Sequence, residues 1–217
     1  MTRDEAVAMI KLQLGYRTTG DSDIVTCLQL AQTTLEGAPV KPWFLTYKDY
    51  ALVTVATTPT VAIPTDFLEE LEDGVLRYIP TTLTEGEVDL VKDQYDVLRK
   101  NFLDTVTGTT ETGVPEAYAL LGDYFYIFPV PAAAYNLKLD YIAKATALST
   151  NVENAWLKWT PKLLMGEAGK LISGGPLRDK TAFDIFSSWA AEGEALASRQ
   201  TTSRSEAGHS AQIGGPH

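Results

Sequence analysis

Two histidines, His209 and His217, one cysteine, Cys27, and two groups of carboxylates are the residues of this 217-residue chain whose types suit catalysis or metal binding. Both histidines fall after Ala197, in a stretch dominated by Ser, Thr, Gly, Arg and Gln. No rigid surroundings can hold an imidazole in place there. A Ser-His-Asp or Cys-His arrangement therefore has no base to work with. One cysteine and two tail histidines make no zinc set. Cys27 falls on the apolar side of a predicted helix, where a small buried thiol is the default, and it has no second cysteine to pair with. The carboxylates Glu69, Glu70, Glu72 and Asp73 form one group and Asp89, Asp93 and Asp96 another. A carboxylate pair can hydrolyse a glycoside if one member is held protonated in an apolar pocket. Nothing singles out such a pair, and a solvated acidic face accounts for both groups. Phosphate-cradling glycine motifs and divalent-cation loops are absent. No catalytic, cofactor-binding or metal residue is assigned, and the chain is not read as an enzyme.

The elements that would have to position any site centre on residues 113–141. Residues 117–121 form a short apolar run, Gly122-Asp123 is a two-residue turn of the kind glycine opens, and residues 124–128 are aromatic and β-branched. Pro129 and Pro131 end the pairing. In the third strand, 135–143, Tyr135, Leu137, Leu139 and Tyr141 alternate with Asn136, Lys138 and Asp140, which predicts one wet face. The middle strand does not alternate. Tyr124, Tyr126 and Phe128 share one face while Phe125 and Ile127 share the other, so both faces need cover. The cover is a second layer of the same domain or another subunit. Tyr124, Tyr126 and Phe128 are thus candidates for a subunit or tail-protein interface.

On either side the period is helical. Thr2 with Glu5 reads as a capping box ahead of Ala6, Val7, Ile10 and Leu14. Ile24, Cys27, Leu28, Ala31 and Leu35 make a second stripe. Strands are expected at 43–45, 50–56, 61–63 and 75–78, a helical turn at 67–72, and a helix over 84–104, where acidic residues lead and Arg99 and Lys100 trail. Asn154 can cap a further helix, Pro161 suits a helix start, and Asp179 opens the last one. The expected fold class is α+β. The N- and C-terminal helices form a bundle into which an antiparallel β-rich unit is inserted, followed by an extended C-terminal tail. The boundaries expected are 1–39 for the first helices, 40–146 for the insertion, 147–196 for the C-terminal helices and 197–217 for the tail.

The net charge of −10 argues against binding to a phosphate backbone, whose affinity needs clustered Lys and Arg. The N-terminal residues lack the apolar core of a signal peptide, and no apolar run is long enough to span a membrane.

Several segments in order resemble the head-to-tail adaptor, or neck connector, proteins of tailed bacteriophages, particularly the short-tailed type. They are Ile63-Pro64-Thr65-Asp66-Phe67, then Gly113-x-Pro115-x-x-Tyr118 with Gly122, then Ile127-Phe128-Pro129-x-Pro131. Tyr135-x-Leu137-x-Leu139-x-Tyr141 and Asn154-Ala155-Trp156-Leu157 before Pro161 complete the set, and the likeness covers residues 1–196. The resemblance implies a structural virion protein without enzymatic activity or cofactor. It would form a homo-oligomeric ring of twelve copies, dock under the portal protein, extend the DNA channel and carry the tail or nozzle protein. Genomic DNA would pass without specific binding. The location implied is the virion neck, with assembly in the host cytoplasm and no membrane. The tail, through Arg199, Arg204, His209, Ile213 and His217, would contact the portal. Two other readings stay open from the residues alone: a virion-associated peptidoglycan hydrolase and a β-sandwich carbohydrate-binding module.

Overall fold

In the computed structural model Thr2 and Glu5 cap each other, the Thr2 N–H donating to Glu5 Oε2 at 2.8 Å and the Glu5 N–H to Thr2 Oγ1 at 3.3 Å. This reciprocal pairing starts the first helix. The structure describes residues 1–16, 20–71, 76–80, 86–103, 108–150 and 152–212, with the side chains of 204–212 excepted. The chain divides into two compact units, one of Met1–Leu45 with Lys144–His217 and one of Thr46–Ala143. The helices among the described residues are α1 (Arg3–Gln13), α2 (Asp21–Glu36), α3 (Tyr95–Asn101), α4 (Ala155–Trp159), α5 (Pro161–Gly174) and α6 (Lys180–Gln212). The strands are β1 (Thr46–Val53), β2 (Thr60–Ala62), β3 (Phe67–Glu70), β4 (Leu76–Ile79), β5 (Val88–Asp89), β6 (Val91–Lys92), β7 (Thr112–Gly113), β8 (Ala117–Leu121), β9 (Tyr124–Phe128), β10 (Val130–Pro131) and β11 (Asn136–Ala143).

The first unit is helical. Ala6, Ile10, Ile24, Leu28, Trp156, Leu164, Ala168, Ile172 and Phe186 are buried at the expected helical spacing. Helices α5 and α6 run antiparallel at close range. A Cβ built on Gly193 would lie 2.3 Å from the Leu163 backbone nitrogen, and one on Gly166 would lie 2.4 Å from that of Ala190. Only hydrogen on those α-carbons lets the two backbones approach so far. Helix α6 does not stop where the composition changes at Ala197 but is helical to Gln212. The Ala, Ser, Glu and Gln of that stretch are compatible with helix once α6 is nucleated by its packed first half.

The second unit has two larger sheets face to face and a separate two-stranded parallel sheet of β7 and β10. One has the order β1-β11-β4-β5 with β3 also on β11; the other has the order β2-β9-β8-β6. Leu76, Leu90, Tyr118, Phe125, Ile127, Leu137, Leu139 and Tyr141 fill the space between them. Strand β11 alternates as its sequence predicts, with Leu137, Leu139 and Tyr141 inside. Gly122 takes φ of 60° at the hairpin turn, where a side chain would be strained. The strands that enter and leave the unit are neighbours, for Thr46 pairs with Ile142.

Three expectations are corrected. The helix expected over 84–104 is helical only at α3, and residues 84, 85 and 104 lie outside the described ones. Val88–Asp89 pairs with β4 and Val91–Lys92 with β8, while Leu90 between them is buried in the intersheet core. Two β-branched valines flanking a core leucine satisfy strand pairing on both sheets, and that overrides a weak helical period. The turn expected at 67–72 is strand β3, since Phe67, Glu69 and Glu70 pair with β11. Residues Trp43–Leu45, expected as a strand, form a single 3₁₀ turn.

Candidate assembly surfaces

Strand β9 finds cover for both its faces within its own unit except at Tyr124. Phe125 and Ile127 face the intersheet core. Phe128 is buried on the other side with Leu98, Ala117 and Ala119. The Tyr126 ring meets Tyr95 of α3 edge-on at 4.9 Å, and the Phe128 ring lies 5.9 Å from both Tyr95 and Phe102. Of the three candidate interface residues, then, Phe128 is enclosed and Tyr126 is half-buried. Tyr124 is open to solvent at the hairpin tip, paired across the turn with the equally open Leu121.

The segments singled out in sequence converge on two buried phenols. Tyr141 donates its hydroxyl hydrogen bond to Asp66 Oδ1 at 2.9 Å, and Phe67 stacks on the same ring at 5.6 Å and 22°. The Ile63-to-Phe67 segment and the Tyr141 end of β11 are therefore one site in space. Tyr118 donates to Glu70 Oε1 at 3.0 Å, and Lys92 pairs with the same carboxylate. Burial first, then the adjoining carboxylate, pushes both phenols well above the ordinary tyrosine value of 10.0. Glu70 is thus committed to a phenol and a lysine rather than to a carboxylate pair. Glu72 and Asp73 lie outside the described residues, and Asp89, Asp93 and Asp96 are exposed. Sequence reasoning placed these tyrosines in strands but had no means of pairing Tyr141 with a carboxylate 75 positions away.

The wet face of the larger sheet carries an ion lattice. Arg77 reaches Asp140 at 2.8 Å and Asp49 at 3.0 Å, and Lys138 reaches Asp49 at 3.3 Å and also bonds Glu87. The hydrogen bond to Glu87 leads in holding the Lys138 ammonium above its ordinary value. The lattice does not neutralise its unit. Between Thr46 and Ala143 the sequence has six Lys and Arg against sixteen Asp and Glu, whereas the helical unit has twelve of each. The whole net charge of −10 therefore resides on the β unit.

In the helical unit a buried polar cluster holds the chain as it returns from β11. Glu36 Oε1 accepts from the Ala145 N–H at 3.0 Å and from Gln32 Nε2 at 2.9 Å, with Trp156 Nε1 at 3.4 Å. Asn154 donates to Gln32 Oε1 at 3.1 Å and also caps α4, accepting from the Trp156 N–H at 2.9 Å. The cap is the part of this cluster that the sequence announces. Beside it, Leu35, Val40, Pro42, Trp156, Leu163 and Ala197 line a groove of about 240 Å³.

Helix α6 passes along this unit as far as Thr201, whose hydroxyl accepts from the Trp43 N–H at 3.4 Å. Arg199 is exposed. Arg204 and His209 lie on the helical backbone with side chains outside the description, and Ile213 and His217 lie outside the described residues altogether. Among the described residues no group of three or more His, Cys, Asp or Glu side chains could hold a metal ion, and no helix is long and apolar enough to cross a membrane.

Residues 1–169 match the family model described as SU10 adaptor protein. The match runs through α1, the whole β unit and the first part of α5, and leaves α6 outside it. A search of curated proteins found none that matches.

Proposed function

The chain belongs to the SU10 adaptor protein family and is a structural adaptor of a bacteriophage, and from that premise we propose that it is a head-to-tail adaptor of the virion neck that docks under the portal as a ring. The family match over both units carries this reading. The ring has twelve copies, extends the DNA channel and presents a platform for the tail or nozzle protein. The protein works by binding and spacing its neighbours and catalyses no reaction. DNA passes without being held, because a unit with ten excess negative charges offers phosphate no net counter-charge.

The C-terminal arm is the portal contact in this proposal, with Arg199, Arg204, His209, Ile213 and His217 as its residues. The observation that favours it is the length of α6, 33 residues against 14 for its packing partner α5. Beyond Thr201 the helix continues for eleven residues, a reach of about 16 Å at 1.5 Å per residue. Co-elution with the purified portal on a sizing column tests the function, and failure to co-elute counts against it. The arm is tested by a deletion starting at Arg204, which spares the packed Ala197 and the Thr201 contact. The truncated chain is expected to melt as the full chain does and to lose portal binding. Retained binding would remove the arm from the contact.

A further inference from the structure

Strand β1 is an outer strand of its sheet, with β11 on one side and, among the described residues, no strand on the other. It is eight residues long, whereas the other outer strands of the two sheets are two to four residues long among the described residues. Short edges are one of the devices by which sheets avoid unwanted pairing. β1 lacks that device, and its second half and the three residues after it, 50–56, Tyr-Ala-Leu-Val-Thr-Val-Ala, include no charge and no proline. Its charged end is separate. The register shifts between Tyr47 and Tyr50, where Asp49 takes φ of 58°.

Backbone geometry shows which groups are open. The Thr54 N–H donates to the Tyr135 carbonyl at 3.0 Å, and Leu52 and Val53 pair with Leu137 and Asn136. In an antiparallel ladder successive residues point their N–H and C=O to opposite edges. Thr54 and Leu52 bond toward β11, so Ala51 and Val53 turn theirs outward. Their side chains lie on the solvent face, with Val53 55% and Val55 62% exposed. The edge thus offers unpaired backbone groups beside apolar surface, the two requirements for adding a strand.

We propose that the outer edge of β1 between Tyr50 and Val53 receives an extended segment of a different protein, apolar at alternate positions and basic between them. Charge selects the partner. A second copy paired through this edge would set two β units, each with an excess of ten negative charges, within the roughly 8 Å over which physiological salt leaves charges in contact. Length selects it too. The edge of matching length that a copy could offer is its own β1, and that pairing is two-fold and closes as a dimer. A foreign strand with Lys or Arg at its polar positions meets neither obstacle. The proposal stands on the β unit alone and holds whichever neighbour the C-terminal arm engages.

Hydrogen exchange over residues 50–56 tests it, comparing the purified chain with the neck complex isolated from particles. The Ala51 and Val53 amides are expected to exchange freely in the purified chain and about a hundredfold more slowly in the complex. Val53→Pro removes one outward N–H, and Val53→Lys places a charge on the exposed face. Each should cut capture of the strand-donating neighbour about tenfold. Portal co-elution through the arm should be unchanged, which separates failure here from failure of the adaptor reading. Equal exchange in the free chain and the complex overturns the proposal. Protection that appears when the purified chain self-associates assigns the edge to a second copy and overturns it as well. If Val53→Pro does not fold, Val53→Lys and the wild-type exchange comparison decide.

Discussion

Tyr141 shows how much can depend on one hydroxyl. Its ring is fully enclosed and its O–H donates to Asp66. Tyr141→Phe leaves that carboxylate without this donor in a half-buried place and should cost about 1–2 kcal/mol, read as a shift in the urea midpoint. Tyr118→Phe should act similarly through Glu70. The two phenols also set an alkaline limit. Their folded values lie above the ordinary 10.0, so folding favours the protonated form. Their contribution is complete below pH 10 and is lost as the pH rises above it toward the folded values. Stability should therefore fall from pH 10 upward, and less steeply in the Tyr118→Phe and Tyr141→Phe variants; equal slopes would show that other groups govern the alkaline limb. The sequence identified these residues as strand positions through their alternation. It did not disclose their carboxylate partners, because Asp66 and Glu70 are distant from them in the chain and Glu70 sits in an acidic group that read as solvated.

Among the elements, the α5–α6 pair is the most constrained. Gly193→Ala would place a methyl 2.3 Å from a backbone nitrogen that cannot step aside, so the helices must part. A loss of about 2–3 kcal/mol is expected, and calorimetry of the variant checks it. Gly86→Ala, whose added methyl meets no atom of the described residues within 4 Å, should be nearly neutral by the same measure. Elements with a strong local signature were legible: the capping box of α1, Pro161 at the start of α5, the Asn154 cap, the glycine turn and the alternation of β11. Elements defined by distant partners were not. Strands β3, β5 and β6 exist because β11, β4 and β8 lie beside them, and each is too short to carry a period of its own. The cover of β9 has the same origin. Tyr95 and Phe102 fall within the helix expected over 84–104, but their placement over Tyr126 and Phe128 is a tertiary fact.

At the scale of the whole molecule, charge separates the two units. Ten excess negative charges on a unit of under a hundred residues repel one another, and its exposed ion pairs are each worth only about 0–1 kcal/mol. Screening should remove more repulsion than attraction. Moderate salt is expected to raise the melting temperature of the β unit by about 2–4 °C, a rise that calorimetry across a salt series would detect; a fall would mean that the Arg77 and Lys138 lattice outweighs the excess. The sequence supplied the total charge but not its allocation, which needs the boundaries at Thr46 and Ala143. Those boundaries have a practical side. Because Thr46 and Ile142 face each other across a ladder, the chain leaves the helical unit and rejoins it through adjacent strands. A short linker could bridge the two cut ends at little entropic cost. The acidic sheet module is in that sense a removable cassette, open to grafting onto another helical host or to exchange between related phages in one recombination event, with the Asp66–Tyr141 bond travelling intact inside it.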